Sequence, residues 1–222
     1  MVQSFNFSGI LNTFRVLCNP SLAMPHLIVD DIRQINFTNL KKYGNIKAIG
    51  FDKDNCLTAP YASDIHPSLK GAWQNCLTAF TKDKIIIVSN SAGTNDDTDY
   101  KEASNVEKSL GVSVLRHKDK KPAGGHSLYQ HFRPIEPHQT AFVGDRILTD
   151  VVFGNRNGNL TIWTSKIITE RGDNKAALVL RRMEHYLIRF LQQMNVKPPP
   201  HPAVNNTEAA AVLNVYTNRN KD

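Results

Sequence analysis

The sequence contains no run approaching the roughly 18 consecutive apolar residues of a membrane span, so no single helix of it is expected to cross a bilayer. Cysteine is scarce. Cys18, Cys56 and Cys76 are odd in number, far apart and without a CxxC pair. That pattern excludes a disulfide framework and a thiolate zinc site, and it points to a reducing compartment. None of the eight histidines has metal spacing with a cysteine. His117, His126 and His131 lie close together, but without a partner thiol they read as surface or loop residues. Acid is missing from the N-terminus until Asp30. That stretch carries Phe5, Phe7, Ile10, Leu11, Phe14 and Leu17 at helical spacing, as an amphipathic presequence would. Its only Arg or Lys is Arg15, whereas mitochondrial presequences are arginine-rich.

What is present describes a soluble α/β domain. The chain has 222 residues, 41% hydrophobic and 21% charged, enough for one domain with extensions. Its net charge of +7 favours an anionic partner: nucleic acid, an acidic membrane or a phosphorylated substrate. Residues 1–40, punctuated by Pro20 and Pro25, read as an N-terminal extension, and 41–194 as the main domain. Residues 195–222, with Pro198, Pro199 and Pro200, read as a disordered tail.

Within the domain, β-branched apolar runs alternate with helical patterns. Strands are expected at 47–51, 84–89, 112–115, 141–143 and 160–163, with helices at 67–80, 97–110 and 122–132 between them. This order implies a Rossmann-like parallel sheet with helices on both faces, and a ligand at the carboxyl ends of the strands. A further amphipathic helix is expected over 177–194. Its apolar side includes Leu178, Met183, Leu187 and Phe190, and its basic side carries Arg181, Arg182, His185 and Arg189.

Four segments carry the chemistry. They are FDKDNCLT at 51–58, IVSN at 87–90, KKP at 120–122 and GDRILTD at 144–150. Asp-x-Asp and Gly-Asp are common turn pairs, so either alone says little. All four in this order supply what phosphoryl transfer requires. Asp52 is the expected nucleophile, and Asp54 the acid that protonates the leaving oxygen and later activates water. Ser89 and Asn90, with the following backbone N–H groups, are expected to hold phosphoryl oxygens. Lys121 neutralises Asp52 and the developing charge. Lys118 and Lys120 compete for that role, but Pro122 suits a helix N1 position and would fix Lys121 at the rim. Asp145, with Asp52 and the backbone carbonyl of Asp54, is the expected Mg²⁺ site, and Asp150 would sit behind it, orienting Lys121 or a metal-bound water. Cys56 is expected to be a packed residue, because neighbouring carboxylates raise a thiol's pKa. His66 reads as a helix-start residue rather than a proton shuttle.

These segments are similar to those of the haloacid-dehalogenase superfamily of aspartate-nucleophile phosphatases. HLIVDDI at 26–32, FDKDNCLTAP at 51–60 and GDRILTDV at 144–151 resemble the mitochondrial phosphatidylglycerophosphatase branch of it, over residues 25–165. The resemblance implies hydrolysis of phosphatidylglycerophosphate to phosphatidylglycerol, feeding cardiolipin synthesis, by a peripheral protein at the matrix face of the mitochondrial inner membrane. Many superfamily members carry Gly-Thr where this chain has Asn55 and Cys56. The expected partners are an anionic phospholipid substrate and a membrane surface, not nucleic acid; the oligomeric state stays open.

The inserts at 59–84 and 90–120 are largely used up by their crossover helices, so neither can hold a cap domain of about 50 residues. An open site suits a phosphate presented on a membrane or a protein. The segment at 5–17 is expected to contact the membrane, while the 177–194 helix could equally pack on the domain's own sheet. A phosphoprotein or small-phosphomonoester phosphatase is the alternative within enzymes. A non-catalytic membrane-docking module is the alternative outside them, and the intact Asp52, Asp54 and Asp145 set counts against it.

Overall fold

The apolar runs form a six-stranded, all-parallel sheet in a computed structural model that describes Val16 and residues 18–205. The strands are β1 (Leu27–Val29), β2 (Ala48–Phe51), β3 (Ile85–Ile87), β4 (Ser113–Val114), β5 (Thr140–Gly144) and β6 (Leu160–Thr164), in the order β1-β6-β5-β2-β3-β4. The helices are α1 (Phe37–Lys42), α2 (Lys70–Ala79), α3 (Lys101–Leu110), α4 (Gly125–Phe132), α5 (Val152–Arg156), α6 (Lys175–Gln193) and α7 (Pro202–Asn205).

Every residue of β2, β3, β5 and β6 is buried, because both faces of the sheet are covered. The two-residue period divides the core. Ile49, Phe51, Ile85 and Ile87 pack with Trp73, Cys76 and Phe80 on one face. Ala48, Ile86 and Phe142 pack with Leu128, Phe132 and Phe153 on the other. A fully buried side chain of this size contributes roughly 1.5–3 kcal/mol, so these layers hold the strand ends in place.

Three features differ from the sequence reading. The stretch read as an N-terminal extension supplies β1, paired in parallel with β6, and Phe37 and Leu40 reach the core. Two prolines just before this strand, Pro20 and Pro25, made the stretch read as an extension. The described part of the C-terminal tail also packs on the domain: a His26 ring nitrogen lies 2.9 Å from the Pro199 carbonyl oxygen, and Ala203 is buried. The helix expected from Pro122 starts at Gly125, after Gly124 at φ +80°, so Pro122 is not at a helix N1 position. Phe5, Phe7, Ile10, Leu11, Phe14 and Leu17, the expected membrane-facing positions, lie outside the described residues.

Among the described residues there is no cap domain. The crossover from β2 to β3 is spent on the loop after Asp52 and on α2, and that from β3 to β4 on the loop after Ser89 and on α3.

Candidate active site

The sheet runs from β2 to β3 on one side and to β5 on the other, so the change in strand order falls at the carboxyl end of β2. Asp52 follows β2 directly, its N–H donating to the Val143 carbonyl 2.8 Å away. Ser89 follows β3, Lys121 comes after β4, and Asp145 follows β5. All four line one open cleft of about 560 Å³, together with Asp54, Asn90 and Asp150.

Lys121 is the pivot. Its Nζ lies 2.5 Å from Asp52 Oδ1 and 2.7 Å from Asp150 Oδ1, and only 1% of its side chain is exposed. Burial alone would push its ammonium toward neutrality, but Asp150 and Asp52 outweigh that and hold it above the ordinary lysine value. Asn90 clamps the backbone beneath it. Lys121 N–H donates to Asn90 Oδ1 at 2.7 Å, and Asn90 Nδ2 donates to the Lys121 carbonyl at 3.2 Å. The Asn90 amide thus positions the lysine, in place of the helix start that the sequence led us to expect.

Asp54 faces the same cleft with a different environment. Its Oδ1 accepts from Lys53 Nζ at 2.6 Å and from the Tyr61 N–H at 2.7 Å. Burial raises its pKa, Lys53 offsets part of the rise, and Asp52 adds to it, so Asp54 holds a proton more readily than an exposed aspartate. A carboxyl raised beside a carboxylate nucleophile is the division expected of an acid–nucleophile pair. Ser89 Oγ accepts from the Ser91 N–H at 3.1 Å and the Ala92 N–H at 3.3 Å, which aims the hydroxyl and turns the loop toward the cleft.

Asp52, Asp145 and Asp150 each offer an oxygen within 4.8 Å of the others. Burial pushes Asp145 up, Arg181 draws it back, and repulsion from Asp52 and Asp150 adds to the rise. Burial also raises Asp150, against the pull of Lys121. Asp145 Oδ1 is buried with no hydrogen-bond partner among the described residues. Three crowded carboxylates with an unsatisfied oxygen fit a hard divalent cation such as Mg²⁺. Asp150 belongs to the same cluster, with its Oδ1 2.7 Å from Lys121 Nζ. A π-helical turn at Ile147–Val151 folds it back over the end of β5, where its Oδ2 accepts the Arg146 N–H at 3.0 Å. Gly144 makes room, since a Cβ there would sit 2.5 Å from Asp150 Cβ. Gly144→Ala should displace Asp150; a shift of about 1 Å costs on the order of 100-fold in rate, and overpacking costs about 1–3 kcal/mol. Steady-state kinetics and thermal unfolding of that variant check both, and unchanged turnover would show that Asp150 need not sit where it does.

Several residues at the site were not anticipated. Lys53 is buried between Asp54 and the Ala62 carbonyl, which its Nζ reaches at 3.0 Å. From α6, Arg181 donates to Asp145 Oδ2 through Nε at 2.8 Å and through Nη2, and to Asp173 Oδ2 through Nη1 at 2.6 Å. Glu184, one turn on, accepts from Arg146 Nε and the Leu148 N–H, each at 3.0 Å. The available signal was a charged pair, Arg181 and Glu184, on the face that also carries Ile188 and Leu191. His117 lies in a loop but is buried, its ring nitrogens 2.7 Å from the Asp119 oxygen and 3.0 Å from the Ser89 oxygen.

Asn55 and Cys56 have physical explanations. Asn55 adopts φ 61°, a left-handed conformation that asparagine tolerates better than most non-glycine residues. Its Nδ2 donates to Asp173 Oδ2 at 2.9 Å, and its Oδ1 accepts the Thr169 N–H at 3.1 Å. Cys56 is buried, and burial, with Asp52, Asp145 and Asp150 nearby, raises its thiol pKa well above the ordinary value, as expected for a packed residue.

The family model for the mitochondrial PGP phosphatase matches residues 7–169. The chain is 42% identical, over 95% of its length and 78% of the relative's, to the chloroplastic phosphatidylglycerophosphate phosphatase 1 of Chlamydomonas reinhardtii. It is 35% identical to the mitochondrial phosphatidylglycerophosphatase of Saccharomyces cerevisiae, over 84% of this chain and 98% of that one. With the chloroplastic/mitochondrial phosphatidylglycerophosphate phosphatase 1 of Arabidopsis thaliana it shares 37% identity, over 92% of this chain and 58% of the relative.

Proposed function

The chain belongs to the mitochondrial PGP phosphatase family, and from that premise we propose that it hydrolyses the terminal phosphate of phosphatidylglycerophosphate through a phosphorylated Asp52. The observation that carries the proposal is Asp52 at the strand switch, held by Lys121 through Oδ1, with Asp54 raised beside it. Lys121 engages one oxygen, so Oδ2 is the one that attacks phosphorus in line with the leaving oxygen. Asp54 delivers the proton that the leaving alcohol needs. Water then attacks the aspartyl phosphate, Asp54 takes its proton, and inorganic phosphate departs. Ser89 and its loop hold the phosphoryl oxygens, and Lys121 offsets their charge. Asp52, Asp145 and the Asp54 carbonyl, with Asp150 alongside, would hold Mg²⁺, which supplies further neutralisation of the transferring group.

An open cleft, with Leu148, Ala177 and Leu180 beside the acidic centre, suits a phosphate carried on a lipid. The product, phosphatidylglycerol, would feed cardiolipin synthesis. We assign the enzyme to the mitochondrial inner membrane, on its matrix side, as a peripheral protein. The mitochondrial name of the Saccharomyces cerevisiae relative favours that compartment, and among the described residues no helix is long and apolar enough to cross a membrane.

The test is phosphate release from phosphatidylglycerophosphate vesicles against release from glycerol 3-phosphate. The lipid should be preferred at least tenfold in kcat/KM; equal or better use of the soluble ester would favour a small-phosphomonoester phosphatase. A second expectation concerns the metal and does not depend on turnover. Saturating Mg²⁺ should raise the thermal midpoint by several degrees, since a ligand at about 100 times its Kd contributes about 2.7 kcal/mol. Asp145→Asn should remove most of that shift, and an equal shift in the variant would place the cation elsewhere.

A further inference from the structure

Helix α6 has two faces of opposite use. The inner face is buried and fixed: Arg181 on Asp145, Glu184 on Arg146, and Ile188 and Leu191 packed with Trp163 and Ile147. On the outer face, Val179, Met183, Tyr186, Phe190 and Met194 are between 57% and 69% exposed. These five recur at i, i+4, i+7, i+11 and i+15, forming one stripe about 22 Å long. A continuous apolar stripe on the surface of a soluble domain marks an interaction site.

We propose that this outer face of α6 lies on an anionic phospholipid bilayer and so sets the cleft against the surface that carries its substrate. The proposal rests on the reading of the substrate as a membrane lipid. Three observations choose the bilayer over other occupants. First, the stripe adjoins the cleft, because Ala176, Ala177 and Leu180 of the same helix line it. A lipid phosphate at Asp52 can therefore keep its acyl chains in the membrane beside Leu180. Second, exposed Arg182 and Arg189 flank the stripe along one edge, as on interfacial helices bound to anionic lipid. Third, the chain carries a net charge of +7. Two copies paired through this face would set positive surface against positive surface, whereas an anionic bilayer neutralises it.

The experiment uses the full chain and two variants, Met183→Asp with Phe190→Asp, and Arg182→Glu with Arg189→Glu. Flotation is measured with vesicles of phosphatidylcholine alone and with added phosphatidylglycerol. Turnover is measured on phosphatidylglycerophosphate in vesicles and on a short-chain soluble form. The wild type should float with the anionic vesicles. Each variant should lose binding at least tenfold, lose vesicle turnover in proportion, and keep turnover on the short-chain form within about twofold. If the wild type fails to float, or both variants float as well as it does, the proposal is wrong. Unchanged flotation with a change from dimer to monomer on sedimentation would make the face a contact between copies. Unchanged flotation with early melting would make it a seat for the chain's own N-terminal segment. If binding is lost as expected but no protein cleaves either form of the lipid, the docking face stands and the substrate assignment falls.

Discussion

Asp52→Asn is expected to lower phosphate release about 1,000-fold or more, with a thermal midpoint at or above that of the wild type. An amide keeps the size and one hydrogen-bonding oxygen but cannot attack phosphorus. Folding should survive because Lys121 keeps Asp150 as a partner at 2.7 Å, and because one of three crowded carboxylates has lost its charge. Kinetics on phosphatidylglycerophosphate and thermal unfolding, run on the same preparation, check the two halves together. Retention of a tenth of the wild-type rate would remove Asp52 from the role of nucleophile.

The second large effect falls on stability as well as rate. Lys121→Met takes the ammonium from between Asp52 and Asp150, while leaving Asp150, 2% exposed at its side chain, without its cation. Breaking a buried pair by removing one partner costs about 3–5 kcal/mol, or roughly 10 °C for a chain of this size. Turnover should fall with it, since the developing charge loses its nearest fixed cation. Lys121→Arg should not restore activity, because a planar guanidinium cannot occupy the compact position of an ammonium wedged between two carboxylates. A Lys121→Met protein that melts like the wild type would show that the buried ion pair is not part of the fold's support.

Much of the acidic rim was legible because three of its residues come just after apolar strands. Asp52 after Phe51, Ser89 after the Ile85–Ile87 run and Asp145 after Gly144 could be placed by period and spacing alone, and the sheet brings them together. The central strands are buried on both faces, and their β-branched runs stand out. Leu27–Val29 is equally apolar, but it comes just after Pro20 and Pro25 in a stretch that reads as an extension. Asp150 was expected to orient Lys121 or a metal-bound water, and its Oδ1 lies 2.7 Å from Lys121 Nζ. The π-helical turn and the missing Cβ of Gly144 that hold it there leave no period in the sequence. Lys121 was chosen for the right neighbourhood by the wrong device, since Asn90 and not a helix start holds its backbone. Arg181 lies 36 residues from Asp145 on another element, and only the docking of α6 shows that its guanidinium reaches the acidic centre.

The most direct measurement of the central claim is capture of the phosphoryl group on Asp52. The wild type is mixed with phosphatidylglycerophosphate labelled in its terminal phosphate, quenched in acid within a turnover, and digested. The account predicts label on the peptide bearing Asp52, released by hydroxylamine as an acyl phosphate, and absent from Asp52→Asn. Turnover under the same conditions with label on no peptide, or on one lacking Asp52, would contradict it.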